Sequence, residues 1–232
     1  MDSYKDIFFI SAASSNHYKS LIQLINSILI FYNDANIIIY DIGLTDNEFN
    51  FLKETYDTIT FKKFDFLKTP FKFEDYACFY SWKPIIIRDE AYITQKPVLW
   101  LDAGDKLISR IDTVIERIIH NGVHTSYTGS SLKELCYPTQ LKYMNVPDNL
   151  YHLQLINGAE IGLNINNNIS KKIIDEFAEL CVIQDCSGPI GSSRKNHRHD
   201  QSILTCLLLK YNKYHGYQGC YSNGISIHND CD

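Results

Sequence analysis

Short apolar runs alternate with helix-spaced apolar residues through the first hundred positions, and this alternation constrains the fold more than any other feature. Asp6 to Ala12 is a β-rich apolar run bounded by small residues. Asn16 to Phe31 then carries Leu21, Leu24, Ile25, Ile28 and Leu29 on one helical face, and Asn36 to Asp41 is apolar again. Strand, helix and strand of these lengths make a βαβ unit, whose parallel strands require a right-handed crossover. Thr45 to Tyr56 reads as the next helix, with Thr45 as N-cap and Glu48 three residues on as its capping-box partner. Thr58 to Phe64 is a third strand, Pro84 to Thr94 a helix opened by proline, and Pro97 to Asp102 the strand it feeds. The pattern predicts an α/β domain with a doubly wound, mostly parallel central sheet flanked by helices.

The second half is less regular. It offers a strand at Ala159 to Ile165, helices near Ser170 to Val182 and Gln201 to Tyr211, and a loop of Gly, Ser and basic residues from Ser187 to Asp200. With no internal repeat and no linker, the 232 residues are expected to form one domain, and 45% hydrophobic residues are enough to give it a sizeable core. A net charge of -5 without a basic stripe argues against a nucleic acid partner, so an anionic ligand would need local cations or a metal. No apolar run reaches the roughly 18 residues of a membrane span. The start, MDSYKDIFFIS, does not read as a signal peptide. Seven irregularly spaced cysteines suggest reduced thiols, and a cytoplasmic location is expected. Cys181 and Cys186, near His197 and His199, raise a zinc site, but no CxxC pair anchors it.

Ligands of such sheets sit beyond the carboxyl ends of the strands. VLWLDAGDKLIS, residues 98–109, places Asp102 at one such end, with Gly104 and then Asp105 following it. A bend at Gly104 could return Asp105 to the face of Asp102, giving two hard oxygen ligands suited to Mg²⁺ or Mn²⁺. Asp and Gly are also common turn residues, so a plain surface turn is the competing reading. Ala12 to Ser15 ends a neighbouring strand and is expected to face the same crevice.

Six segments in order resemble the GT-A fold glycosyltransferases, and most closely glycosyltransferase family 8. AASSNHYKSL (12–21) is similar to the strand 1 pattern AxxxNxxxxL, YDIGLTDNEF (40–49) to the turn after strand 2, and VLWLDAGD to the hydrophobic strand ending in the DxD metal motif. LINGAEIGLNI (155–165), the Asp200-Gln201 pair opening a helix, and His228 in ISIHND complete the series. The resemblance implies a single GT-A (Rossmann-like) domain with a nucleotide-binding half at 1–105 and a sugar and acceptor half at 106–232.

It also implies a metal-dependent transferase that moves a sugar from a nucleotide-sugar donor, a UDP-sugar by preference, to a glycan or other hydroxyl acceptor. Asp102, Asp105 and His228 would hold Mn²⁺ or Mg²⁺, while Ala12, Ala13, Ser14, Asn16, His17 and Tyr18 would meet the nucleotide. Asn157, Asp200 and Gln201 would meet the sugar, and Lys83 would favour the leaving diphosphate. Trp82 reads as core, and Asp200 has an alternative reading as a helix N-cap. Two departures stand out. DAGD is one residue longer than DxD, and the glycine and lysine that follow the family's histidine are not found after His228. Arg194, Lys195 or Arg198 is expected to replace that lysine, from a loop that reads as a mobile lid over the donor. The rival classes are a nucleotide-sugar-binding protein without turnover and a metal-dependent phosphohydrolase using Asp102, Asp105 and His197, His199 and His228.

Overall fold

The computed structural model describes residues 3–70, 80–216 and 223–231. Strands β1 (Phe8–Ala13), β2 (Asn36–Asp41), β3 (Thr60–Lys63), β4 (Val98–Leu101), β6 (Val123–Ser131) and β7 (Gln154–Leu163) form one sheet in the order β3-β2-β1-β4-β7-β6. The first four run parallel, and β7 and β6 join antiparallel. A separate two-stranded ribbon pairs β5 (Lys106–Leu107) with β8 (Ile225–Ser226). The mostly parallel α/β sheet read from the sequence is therefore present, and it runs without a break across both halves of the chain.

Helix α1 (Tyr18–Phe31) buries Leu21, Leu24, Ile25 and Ile28, the stripe read from the sequence, against one face of the sheet. It shares that face with α4 (Asp112–Asn121), which contributes Val114, Ile115 and Ile118. The opposite face is covered by α3 (Trp82–Thr94), α7 (Asn168–Leu180) and α9 (His199–Lys210). Alternation along the strands divides the two cores: Ile10, Ile38 and Trp100 belong to one, Phe9, Ile37 and Leu99 to the other. Helix α2 (Asp46–Thr55) begins with the expected capping box, the Thr45 amide donating to Glu48 Oε2 at 2.8 Å and the Glu48 amide to Thr45 Oγ1 at 3.3 Å.

Several boundaries move. Residues 15–17 form a 3₁₀ turn, so α1 begins at Tyr18 and not at Asn16. Helix α3 begins at Trp82, which makes Pro84 its third residue and puts Lys83 inside the first turn. Strand β7 starts at Gln154, five residues before the expected Ala159. Edge strand β6 and helix α4 have no counterpart in the sequence reading. The sequence of β6, VHTSYTGSS, is half polar, and its ladder is broken by register shifts at Thr125/Tyr127 and Tyr127/Ser131. Such bulges bend an edge strand, and here the bend carries Tyr127–Ser130 to the site described next.

Candidate active site

The ladder continues one residue past β4, where the Asp102 amide donates to Ala159 O at 2.9 Å. Asp102 Oδ1 is held from behind, by Trp100 Nε1 at 2.7 Å and by Lys83 Nζ at 2.9 Å. Its side chain stays 36% exposed, so the rest of the carboxylate faces the crevice. Lys83 itself is buried. Its ammonium also donates to Gly158 O at 2.9 Å and lies 3.2 Å from Asp200 Oδ2, an ion pair without a well-aligned hydrogen bond. Burial disfavours the charge on Lys83, but Asp102 and Asp200 outweigh it and hold the amine above the usual lysine range. Burial pushes the Asp200 carboxyl up, with Lys83 opposing. One lysine thus ties the end of β4 to the first turn of α9. It contacts two carboxylates, which the sequence reading, with Lys83 beside the leaving diphosphate, does not anticipate.

Asp200 is the second residue of α9, after Arg198 at the N-cap, and makes no capping hydrogen bond. Its position is explained by Lys83 and the cavity and not by capping. A cavity of about 430 Å³ brings together Lys83, Asp102, Asn157, Asp200, Gln201 and His228, six of the residues singled out in the sequence. A second cavity of about 340 Å³ lies beside it and is lined by Ala12, Ala13, Ser14, Asn16 and His17. Tyr80, Asp102, Arg194 and His228 border both, so the two are subsites of one crevice. Tyr18 lines neither, and is half-buried against the core beneath α1. Tyr80, His199 and His228 have left-handed backbones, with φ of 59°, 47° and 55°. Such conformations cost energy outside glycine and gather at functional sites.

Asp105 is not brought to the crevice. Its side chain is fully buried, and Oδ2 accepts from the Asp102 amide at 3.1 Å, closing the turn on itself. Burial, then the charges of Asp102 and Glu160, hold its carboxyl well above the usual range. The extra residue in DAGD turns the second carboxylate inward. Among the described residues, no three His, Cys, Asp or Glu side chains are gathered as a metal site requires. What stands in the crevice instead is Asp230. The β5–β8 pairing lays the C-terminal segment over the turn, with the Asn229 amide donating to Gly104 O at 2.6 Å. Asp102, His228 and Asp230 then line the nucleotide-side cavity together. A Cβ on Gly104 would lie 2.4 Å from Asp230 Oδ1, so glycine is what admits this close approach. Asp230 lies two residues after His228 in HND, but with His228 left-handed at φ 55° the chain is not extended there, and no period-two signal in the sequence places the two side by side.

The loop from Ser187 to Asp200 is anchored at both ends. His197 Nδ1 accepts from the Tyr137 amide at 3.3 Å, so its other nitrogen donates to Cys186 O at 3.1 Å. His199 Nδ1 meets Ser187 O at 2.7 Å, and the Arg198 amide donates to Leu135 O at 3.1 Å. With both ring nitrogens of His197 engaged and Cys181 and Cys186 buried as thiols, these residues do not assemble a zinc site. The three basic residues separate: Arg194 borders both cavities, Arg198 only the larger, and Lys195 neither.

The His197 arrangement accommodates a neutral ring alone, because a proton on Nδ1 would face the Tyr137 N–H. Burial, reinforced by His199, depresses its pKa to about 4. The unfolded chain takes up that proton near pH 6.5. The native state therefore loses about 3 kcal/mol of stability as pH falls from 6.5 to 4. Urea unfolding at pH 7 and pH 4.5 checks this: His197→Asn should be less stable than wild type at pH 7, and the gap should narrow by about 2 kcal/mol at pH 4.5.

A profile described as a protein of unknown function (DUF1647) matches residues 1–88. No curated protein matches the chain. Solved structures do. The WbbM bifunctional glycosyltransferase superposes with a TM-score of 0.57 at 13% identity, over 89% of this chain and 38% of that one. The galactosyltransferase LgtC, in complex with donor and acceptor sugar analogues, gives 0.54 at 13% identity over 86% and 70%. Core-mannan synthase A from Aspergillus fumigatus, in an Mn/GDP form, gives 0.57 at 8% identity over 88% and 69%. The chain spans less than two fifths of WbbM. It has the GT-A glycosyltransferase fold.

Proposed function

We propose that the chain is a glycosyltransferase that takes a sugar from a nucleotide-sugar donor, with UDP as the nucleotide, and passes it to a hydroxyl acceptor. The observation that carries this reading is the Lys83-tethered pair of Asp102 and Asp200 where the two cavities meet, at the carboxyl edge of a GT-A sheet. Base and ribose fit beside Ala12–His17, the diphosphate passes Asp102 and Arg194, and the sugar lies over Asn157, Asp200 and Gln201. In transfer, the bond from the sugar C1 to the diphosphate oxygen breaks and a bond from the acceptor oxygen to C1 forms. Asp200, whose carboxyl is more basic than usual, accepts the acceptor's proton and faces the positive charge that develops on the sugar. Arg194 favours the leaving diphosphate from the exposed tip of the loop at 190–195, which on this reading closes over the donor to exclude water.

Asp102, Asp230 and His228 line the nucleotide-side cavity but are not gathered as a ligand set, and Asp230 Oδ1 lies 3.3 Å from His17 Nδ1. A divalent cation brought in with the donor would be held by these groups, two carboxylates and an imidazole, together with the diphosphate. Bound there, the ion would neutralise charge on the departing diphosphate. Calorimetry of UDP with and without Mn²⁺ separates the two carboxylates. Asp230→Ala should remove at least tenfold of the Mn²⁺-dependent affinity. Asp105→Asn, which keeps an acceptor for the Asp102 amide, should leave that dependence unchanged; the reverse pattern would restore the DxD-like assignment.

A screen of UDP, GDP, CMP and dTDP sugars with Mn²⁺, followed by assay of nucleotide release, tests the function. A donor at a hundred times its Kd stabilises the native state by about 2.7 kcal/mol. In a chain of this length that amounts to roughly 5–10 °C in Tm. UDP-sugars should give the shift and be turned over. A shift without turnover would indicate a binding protein, and no shift from any of the four would reject the reading.

A further inference from the structure

One cation of the crevice stands apart from the groups assigned to the donor. Lys83 lies between Asp102 and Asp200 and is taken up by them. Above them stand two guanidiniums, Arg194 and Arg198, and among the described residues neither has an ion-pair partner within 4 Å. Arg194 lies at the junction of the cavities, 6.0 Å from the centre of the Tyr80 ring, where the diphosphate of the proposed donor would pass. Arg198 does not reach the nucleotide side. Its backbone is fixed, the amide shared between Leu135 O at 3.1 Å and Ser202 Oγ at 3.0 Å, so it presents its guanidinium from a rigid helix start. Opposite it the bulged end of β6 supplies Tyr127, whose ring packs against Tyr214 at 5.3 Å, and the residues Thr128–Ser130. The cavity thus has an aromatic residue on one side, which sugars favour, and on the other a half-buried cation with no carboxylate partner among the described residues.

Resting on the transferase reading above, we infer that the acceptor is an anionic sugar, carrying a carboxylate or a phosphate that Arg198 binds while its hydroxyl points at the donor. A neutral acceptor would leave the half-buried guanidinium without a counter-charge in the closed complex. An acid group meets it with the planar, bidentate geometry that favours arginine. The charges then divide by subsite, with Arg194 for the diphosphate and Arg198 for the acceptor.

The test measures UDP release from the turned-over UDP-sugar with two matched pairs of probes. One pair is methyl β-D-glucuronide and methyl β-D-glucoside; the other is glucose 6-phosphate and glucose. In one pair or the other the acid member should stimulate release at least tenfold more than its neutral partner, and the pair that responds tells carboxylate from phosphate. Arg198→Gln should erase that ratio through the KM of the acid probe, with Arg198→Lys intermediate, whereas Arg194→Gln should weaken UDP binding and preserve the ratio. Equal responses to acid and neutral members, a lack of response to both included, would overturn the inference. So would an Arg198→Gln variant that loses as much UDP affinity by calorimetry as it loses in acceptor use. If no UDP-sugar binds at all, the transferase reading fails first and takes this inference with it.

Discussion

Lys83→Met should damage both reaction and fold, lowering transfer by about a hundredfold or more and stability by about 3 kcal/mol. Methionine roughly fills the volume of the lysine stem, so the loss is one of charge and not of packing. Without the ammonium, Asp200, 7% exposed, and Asp102, 36% exposed, face each other uncompensated. Part of the penalty is relieved because Asp200 can take up a proton, which places the expected cost at the low end for a broken buried pair. The folded amine is held above its unfolded value. Its stabilisation is therefore complete through neutral pH and is lost only as pH rises past about 10.4. Urea unfolding at pH 7 should show the deficit, and Lys83→Arg should recover more of the stability than of the rate, since its planar fork cannot place one nitrogen against Gly158 O and both carboxylates as an ammonium does.

Asp200→Asn should separate chemistry from folding. The amide keeps the shape and a contact for Lys83, so Tm should move by only a few degrees. The base is gone and the developing charge on the sugar is no longer opposed by a carboxylate, which costs about 10²–10⁴-fold in kcat. The donor KM should change little, because the cavity proposed for the nucleotide is lined by Ala12–Ser14, Asn16, His17 and the C-terminal segment, away from α9. A kcat within threefold of wild type would remove Asp200 from the reaction and leave it a structural partner of Lys83.

The contrast between Asp102 and Asp105 shows which parts of this protein were readable from its sequence. Periodicity revealed β1, β2, β4 and α1, which bury regular apolar residues, while α2, with only Leu52 buried, was marked by its capping box. The ends of those strands, and with them Asp102 and Ala12–Ser15, followed from the topology. Resemblance supplied Asn157, Asp200, Gln201 and His228, and all four reach the same cavity. The inward turn of Asp105 was not readable, since a one-residue insertion after a strand end can bulge to either side and only packing decides. Asp230 was missed for a related reason: it reaches the cavity that Asp102 lines through pairing between β5 and β8, two residues each and more than a hundred residues apart. The wall formed by Tyr127–Ser130 depends on bulges in a polar edge strand that carries no periodic signal.

The central claim is that a nucleotide-sugar donor lies across the two joined cavities, with its sugar beside Asp200. A crystal structure of the complex with UDP and Mn²⁺ tests it most directly. The account predicts the uracil and ribose against Ala12–His17 and the diphosphate between Asp102, His228 and Arg194, ending at the cavity that holds Asp200. A nucleotide found elsewhere, such as in the apolar groove of Tyr143, Leu150 and Lys210 on the far side of α9, or bound in the crevice with its phosphates turned away from Asp102, would contradict it.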